Sequence, residues 1–329
     1  MSKILITGGA GLIGSNVVKR LVDIGNEIHI ADNLWRGKIE NIYQNGSPVI
    51  DLMSCFNQVD LLDYNNCLMV SKNMDTVIHL ADIVAGINFV FSNELFLYRS
   101  NIVMNSNMLD AAIKNSVKKY IYVGTACSYP KEMQSELNPP PFKEEDAYPA
   151  NPESSYGWSK LMGEFECELA QKESLIDIGI LRLHNVYGPP CEMSPEKSQV
   201  IPALCRKAIN FPKEDFIVWG SGDQRRAFLY VDDAVDAIVA TLDKGMNNSV
   251  IQIGSGKSHS IADIAKRIVH LSGKEINIQF DTSKREGDKD RTADNTKACE
   301  ILGWKQKVFL DEGLESTFAW AIDYLKKNP

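Results

Sequence analysis

The chain has 329 residues, 44% of them hydrophobic and 24% charged, with a formal net charge of −8. These values are ordinary for a globular protein of roughly two domains, and the acidic balance argues against a general nucleic-acid or membrane-surface binder. No apolar run approaches the length of a membrane span, and the seven cysteines are scattered without a CxxC pair. They predict reduced thiols in the cytoplasm and no metal site.

Predicted strands and helices alternate along the first half of the chain. Strands are expected at 3–7, 26–31, 76–80, 119–123 and 178–182, and helices at 12–24, 101–115 and 155–172. This alternation predicts an α/β fold with a Rossmann-like, doubly wound parallel sheet. The proline-rich, acidic stretch 131–152 is interpreted as a surface loop.

The alternation ends after about residue 187, where prolines mark irregular chain. Helices at 199–210, 260–272 and 309–326 and a strand at 216–219 then predict a smaller C-terminal α+β domain. We therefore expect a dinucleotide-binding Rossmann domain over 1–187, to which the chain returns around 227–256. Residues 188–329 are expected to form the substrate-binding domain.

A glycine-rich loop joins the first strand to the first helix. Gly8 permits the tight turn, Gly11 lets backbone amides approach a pyrophosphate, and Gly14 allows close packing of helix on strand. Asp32 ends the second strand, where a carboxylate accepts hydrogen bonds from ribose hydroxyls and repels a 2′-phosphate. The pattern predicts NAD rather than NADP, and Asp60 and Leu61 are candidates to hold the adenine.

Tyr156 and Lys160 lie four residues apart on a predicted helix, which places phenol and ammonium on one face. A nearby ammonium favours the phenolate, so Tyr156 is expected to remove a proton from an alcohol near neutral pH. Thr125 and Cys127 follow the strand that faces this helix. Cys127 is then a third ionisable group, available for a second proton transfer, and the set indicates an epimerase rather than a plain dehydrogenase.

The motifs together resemble the extended short-chain dehydrogenase/reductase family that acts on nucleotide sugars. They are TGGAGLIGS (7–15), HLA (79–81), Asn101, GTACSYP (124–130), YGWSK (156–160), LRLHNVYGP (181–189), VWGSGDQRRAFLYVDD (218–233), REGD (285–288) and AD…LGW (293–304). The resemblance implies a homodimer that binds NAD and a nucleotide-diphosphate sugar. It adds Leu12, Ile13, Asn33, Leu80, Ala81 and Asn101 to the cofactor site, and it assigns Asn185, Arg226, Arg285 and Arg291 to the substrate diphosphate.

Two branches of the family are similar in finer detail. The GDP-mannose 3,5-epimerase branch resembles the chain in HLADIVAGINFV (79–90) and CRKA (205–208), and the GDP-fucose synthase branch in SQVIPAL (198–204). Both branches use a cysteine at the position of Cys127 as an acid/base, together with a second acid/base that falls on Gln199 here. Glutamine cannot exchange protons, and Lys197 is its possible substitute.

The resemblance favours an NAD-dependent epimerase of a GDP-sugar, with transient oxidation at C4 of the sugar and proton exchange at C3, C5 or both. A 4-epimerase or 4-oxidase is the alternative, in which Cys127 only shapes the pocket and Gln199 binds the sugar. A non-catalytic, NAD-binding regulatory protein on the same fold is a third possibility, against which the Thr125–Tyr156–Lys160 set argues.

Overall fold

The structure is a computed structural model that describes residues 2–328. Its main sheet contains β1 (Lys3–Thr7), β2 (Glu27–Asp32), β5 (Phe56–Gln58), β6 (Thr76–His79), β7 (Lys119–Thr125), β8 (Asp177–Leu183) and β13 (Ile251–Ile253). Short paired strands lie outside it: β3 (Tyr43–Gln44), β4 (Ser47–Pro48), β9 (Asn185–Tyr187), β10 (Ile217–Trp219), β11 (Arg225–Arg226), β12 (Phe228–Tyr230), β14 (His259–Ser260) and β15 (Gln279–Asp281).

Helices connect most of these strands. They are α1 (Leu12–Asp23), α2 (Leu52–Cys55), α3 (Tyr64–Ser71), α4 (Ile87–Ser92), α5 (Glu94–Lys114), α6 (Ser155–Lys172), α7 (Val200–Asn210), α8 (Val231–Ala240), α9 (Ile261–Ser272), α10 (Thr296–Leu302) and α11 (Leu310–Lys327). Single 3₁₀ turns occupy Ile39–Ile42, Ala126–Ser128, Lys131–Gln134 and Glu144–Ala147, and a π-helical turn occupies Thr241–Gly245.

The seven-stranded sheet is parallel throughout, in the order β13–β8–β7–β6–β1–β2–β5. The chain builds outward from β1 to β2 and β5, then returns to place β6 on the other side of β1. The strand order therefore reverses between β1 and β6, and the predicted Rossmann-like, doubly wound sheet is confirmed. Ligands of open α/β sheets bind in the crevice at such a reversal, beyond the carboxyl ends of the strands.

Alternate residues of the strands bury two separate apolar faces. Ile4 and Ile6 of β1 belong to the core beneath α1 and α8, whereas Leu5 points into the core beneath α3, α5 and α6. All three are almost fully buried. Because the side-chain period of a strand is two, apolar residues at consecutive positions cover both faces of the sheet, as a helix layer on each side requires.

One predicted helix differs from the structure. The helix expected at 101–115 begins at Glu94, so Asn101 is a buried residue of its interior. The stretch 131–152 is irregular, largely exposed chain with two 3₁₀ turns, as the surface-loop prediction expects. Its buried Phe142 packs against Tyr129, with ring centroids 5.1 Å apart, and anchors this loop.

Helices α7, α9 and α11 pack on one another beyond the carboxyl edge of the sheet, with the short pair β10–β15 beside α9. These elements and the loops that join them form a cap over the crevice at the strand reversal. Within residues 2–328, no helix combines the length and apolar character needed to cross a membrane.

Candidate active site

A cavity of about 790 Å³ runs from the glycine loop after β1 to the helices of the cap. Its walls include every site residue that the sequence analysis singles out except Asn101 and Lys197. The predicted cofactor, acid/base and diphosphate residues thus border one space, although they come from segments distant in sequence.

The glycine loop leaves the room that a dinucleotide pyrophosphate requires. A Cβ at Gly14 would lie 2.2 Å from the Gly8 carbonyl oxygen, and one at Gly8 would lie 2.9 Å from the Ala81 amide nitrogen. Gly8 also has a φ of +69°. Side chains at these positions would displace the backbone that forms the start of α1, where amide groups and the helix dipole favour an anion. The residues present therefore fit NAD.

Asp32 lies at the carboxyl end of β2 and is 9% exposed. Its carboxylate accepts hydrogen bonds from the amides of Ala10 (2.9 Å) and Leu34 (2.8 Å), and burial raises the pKa of Asp32. These bonds fix the carboxylate beside the glycine loop, while each oxygen keeps a lone pair for a ribose hydroxyl. The same cavity is also lined by Leu12, Ile13, Asn33, Asp60 and Leu61.

The loop after β6 forms the floor between the two ends of the cavity. The amides of Leu80 and Ala81 donate to Thr7 Oγ1, each at 3.2 Å. Asn101 accepts from the Ile83 amide at 2.7 Å and donates to the Ile83 carbonyl at 3.1 Å. Asn101 therefore holds this loop from behind and does not itself line the cavity.

Tyr156 and Lys160 lie on the first turns of α6, and both reach the carboxylate of Asp82. The Tyr156 hydroxyl donates to Asp82 Oδ2 at 2.8 Å, and Lys160 Nζ lies 3.3 Å from the same oxygen. Lys160 also donates to the Val123 carbonyl at 3.0 Å and is almost completely buried. A carboxylate thus bridges the phenol and the ammonium.

This bridge changes the acid/base balance expected from the sequence. Burial, followed by the negative charge of Asp82, raises the pKa of Tyr156 well above its ordinary value. The sequence indicated the opposite direction, because only the Lys160 ammonium was foreseen. In the structure Tyr156 is a phenol whose proton points at a carboxylate.

Cys127 follows the end of β7 and faces Arg291. Its amide donates to Thr125 Oγ1 at 3.3 Å, and Arg291 Nη2 donates to its Sγ at 3.5 Å. The same guanidinium donates to Asn185 Oδ1 (3.2 Å) and Asp288 Oδ2 (3.0 Å) and is only 3% exposed. This guanidinium therefore connects Cys127, Asn185 and Asp288 on one side of the cavity.

Arg226 and Arg285 border the cavity on the cap side. Arg226 Nη1 donates to the carbonyls of Arg225 (2.7 Å) and Asp288 (2.6 Å), and within residues 2–328 it forms no ion pair. Burial and the charge of Arg291 lower the pKa of Arg226 to about 10. An incompletely neutralised arginine beside a second one is suited to an anion. Arg285 is exposed and lies 3.3 Å from Glu153.

Gln199 precedes α7 and is exposed at the cavity wall. Lys197, its possible substitute, donates to the Trp35 carbonyl at 2.7 Å and lies over the Trp35 ring. Lys197 is therefore engaged with the loop after β2 rather than with Cys127.

Sequence reasoning missed Asp82, Glu153 and Asp288, which all border the cavity. Asp82 had a readable signal, because it directly follows the predicted strand 76–80, at the carboxyl edge of the sheet. Asp288 ends the REGD motif (285–288), but no spacing in the sequence predicts that its side chain meets that of Glu153.

Comparisons with known proteins agree with the family resemblance of the sequence motifs. Residues 4–254 match the model of the NAD dependent epimerase/dehydratase family. A GDP-mannose 3,5-epimerase 1 of Oryza sativa subsp. indica is 34% identical over 328 residues, which cover 99% of this chain and 83% of the relative. A UDP-N-acetyl-alpha-D-glucosaminuronate decarboxylase of Bacillus cytotoxicus is 32% identical and covers 96% of each chain.

Among solved structures, a UDP-glucose 4-epimerase with UDP-glucose from Thermotoga maritima superposes with a TM-score of 0.84. It is 29% identical and covers 99% of each chain. The names of these three proteins describe different reactions on nucleotide sugars.

Proposed function

The chain belongs to the NAD-dependent epimerase/dehydratase family, and from that premise we propose that it is an epimerase of a nucleotide sugar. In this proposal the sugar is oxidised transiently at C4 and inverted at C3, C5 or both, and a GDP-sugar is the favoured substrate. The observation that carries the proposal is the Cys127 sulfur, which Arg291 holds in the cavity that Thr125, Tyr156 and Lys160 also border.

The chemistry that bound NAD supplies is the removal and return of a hydride at the sugar C4. Thr125 binds the 4-hydroxyl, and Tyr156 takes its proton. The resulting C4 ketone acidifies the hydrogens at C3 and C5. Cys127 then exchanges a proton with one of these carbons, while Thr125 and Tyr156 stabilise the enolate oxygen. Arg291 holds the sulfur in position between these steps.

The charges of the cap support a nucleotide diphosphate as the anchored group. Arg226 has no carboxylate partner within residues 2–328, and Arg291 lies near enough to lower its pKa. Two diphosphate oxygens would supply the missing negative charge through the planar fork of the guanidinium. Exposed Arg285 adds a third cation at this end.

Gln199 supports a second candidate, a 4-epimerase or 4-oxidase. It occupies the position at which the resembling branches place a second acid/base, and its amide exchanges no proton. In that case Cys127 only shapes the pocket, and the sugar is inverted at C4 alone or left as a ketone.

The two candidates differ in where solvent hydrogen enters the product. The purified protein is incubated in D₂O with GDP-mannose and with other GDP- and UDP-hexoses, and the products are read by NMR. The first proposal expects deuterium at C3 or C5, and Cys127→Ser should lower its incorporation about 100-fold or more. The exposed thiol of Cys299 supplies the control variant, Cys299→Ser, which should retain full rate.

Inversion at C4 without deuterium at C3 or C5, or release of NADH with a keto-sugar, would instead establish the second candidate. Undiminished incorporation by Cys127→Ser would remove the thiol from the mechanism.

A homodimer is part of the proposal, because the family resemblance implies a dimer. Helices α5 and α6 also carry exposed apolar residues. Two copies of the chain would bury those residues against each other.

A further inference from the structure

The Asp82 carboxylate is in direct contact with Tyr156, the proposed base at C4, and with Lys160. Its Oδ2 accepts the Tyr156 hydroxyl at 2.8 Å and lies 3.3 Å from Lys160 Nζ. No other carboxylate within residues 2–328 forms a hydrogen bond or ion pair with Tyr156 or Lys160. Asp82 is 18% exposed at its side chain, so water competes little for these contacts.

The backbone on both sides of Asp82 is fixed. Ala81 donates its amide to Thr7 Oγ1, and both backbone polar groups of Ile83 pair with the Asn101 side chain. Asp82 thus meets Tyr156 from a segment anchored to β1 and to the buried interior of α5. This preorganisation is what a positioned proton acceptor requires.

The direction of the Tyr156 hydrogen bond creates a problem for the reaction. A phenol whose own proton points at a carboxylate cannot accept the proton of a sugar hydroxyl until that proton has left. The pKa of Tyr156 is raised well above its ordinary value, first by burial and then by Asp82. Little phenolate is therefore present at neutral pH.

We infer that Asp82 is a positioning residue that receives the Tyr156 proton when Tyr156 takes the proton of the substrate hydroxyl. The inference rests on the proposed function, since it assigns Tyr156 the role of base at C4. The O–H bond of the sugar breaks as one forms at Tyr156 Oη, and the former Tyr156 proton forms an O–H bond at Asp82 Oδ2. Bound NAD would accept the hydride from C4 and later return it. When it returns, both protons retrace their path.

Lys160 has a defined part in this relay. Its ammonium lies 3.3 Å from Asp82 Oδ2 and supplies a positive charge beside the carboxylate. The other ionisable groups that face Tyr156 are Cys127 and Tyr122, and His79 lies behind Lys160. Burial and then Lys160 lower the pKa of His79 to about 4, so it is neutral at pH 7 and takes no proton from the relay.

Asp82→Asn tests the relay because the amide oxygen can still accept the Tyr156 hydrogen bond but cannot bind its proton. At pH 7 the turnover number should fall roughly 10- to 100-fold. It should recover as the pH rises, because the variant depends on free phenolate, and wild type should show a flatter profile over that range. Turnover by Asp82→Asn equal to or faster than wild type at pH 7, with an unchanged pH profile, would overturn the inference.

A titration without substrate gives an independent readout. Loss of the Asp82 charge should lower the pKa of Tyr156, so that tyrosinate absorbance near 295 nm appears at lower pH in Asp82→Asn than in wild type. The tyrosinate absorbance that appears at lower pH in Asp82→Asn should be absent from the double variant Asp82→Asn, Tyr156→Phe. Identical titration curves for wild type and Asp82→Asn would contradict the proposed coupling between Asp82 and Tyr156, even if no substrate is turned over. Absence of nucleotide-sugar turnover by wild type would instead count against the proposed function.

The chain offers a matched control on its surface. Tyr64 donates its hydroxyl to Asp110 Oδ2 at 2.5 Å, and Lys114 lies 3.0 Å from the same oxygen, outside the cavity. This is the same Tyr–Asp–Lys grouping in solvent. Asp110→Asn should leave turnover and its pH profile unchanged, and a loss there matching that of Asp82→Asn would overturn the inference.

Discussion

Gly14 shows at the residue scale how closely the start of α1 approaches the glycine loop. Its missing Cβ would lie 2.2 Å from the Gly8 carbonyl oxygen, a backbone atom that cannot move without displacing the loop. Gly14→Ala should therefore weaken NAD binding at least tenfold, because the amides that face the pyrophosphate shift. Calorimetric titration of cofactor-stripped protein with NAD measures this.

Gly256→Ala is the control for that substitution. A Cβ at Gly256 would have no other atom within 4 Å, and the φ of this residue is not positive, so both folding and NAD affinity should be retained. Equal NAD affinity in Gly14→Ala and wild type would show that the loop does not form the pyrophosphate site.

The spacing of residues in the sequence predicted correctly that Tyr156 and Lys160 share the site. It did not predict which other side chains contact them. Tyr156 and Lys160 follow from helical periodicity, and the structure places both on one face of α6. Spacing could not place Asp82 between them, because that contact depends on Asn101 holding the loop after β6. Arg291 lies on a cap loop, and its path to Cys127 is likewise set by tertiary packing.

At the scale of elements, a buried ion pair fastens α6 to the sheet. Arg182 of β8 donates to Glu164 of α6 through Nη2 (2.6 Å) and Nε (3.2 Å), and both side chains are 2% exposed. Glu164 lies one helical turn beyond Lys160. The pair therefore fixes the rotation of the helix that carries Tyr156 and Lys160.

Glu164→Ala should lower the free energy of unfolding by about 3–5 kcal/mol, because it leaves the Arg182 guanidinium buried without a counter-charge. Urea denaturation measures the loss. Replacing both partners, with Glu164→Leu and Arg182→Met, should restore much of it, since no uncompensated charge then remains. If Glu164→Ala were as stable as the exposed-pair variant Asp110→Asn, the pair would not hold α6.

The central strands were predictable from the sequence, because their consecutive residues are apolar and buried. Residues Thr76–His79 and Lys119–Thr125 are buried on both faces, and their apolar runs identify them as central parallel strands. The start of α5 at Glu94 was not predictable, because Leu95 and Phe96 are exposed and add no inward-facing period there. Leu95 and Phe96 instead contribute to an exposed apolar surface.

At the scale of the whole molecule, the strand reversal between β1 and β6 explains why one cavity gathers the site. The carboxyl ends of both strands and the starts of α1 and α6 open toward it, and the cap closes it from the other side. The sequence predicted the alternating strands and helices of a doubly wound sheet, but not the order of its strands. It did not predict that the loop carrying Arg291 reaches Cys127, because irregular chain shows no hydrophobic periodicity.

Helices α5 and α6 pack side by side and expose apolar residues that the fold leaves uncovered. These residues are Leu95, Phe96 and Val103 of α5 and Phe165 and Leu169 of α6, each between 43% and 63% exposed. Contiguous apolar patches on a folded protein commonly mark an interface. We expect this face to join two copies of the chain, as the family resemblance implies.

The double variant Val103→Glu, Phe165→Glu should convert such a dimer into a monomer, because two like charges per subunit would be buried against apolar partners. Sedimentation or light scattering measures the mass. Phe309→Glu is the control, since Phe309 is 67% exposed and lies before α11, away from α5 and α6. A wild-type protein that sediments as a monomer, or a dimer that Phe309→Glu alone dissociates, would contradict an α5–α6 interface. A monomeric double variant that still turns over substrate would further show that each subunit contains a complete site.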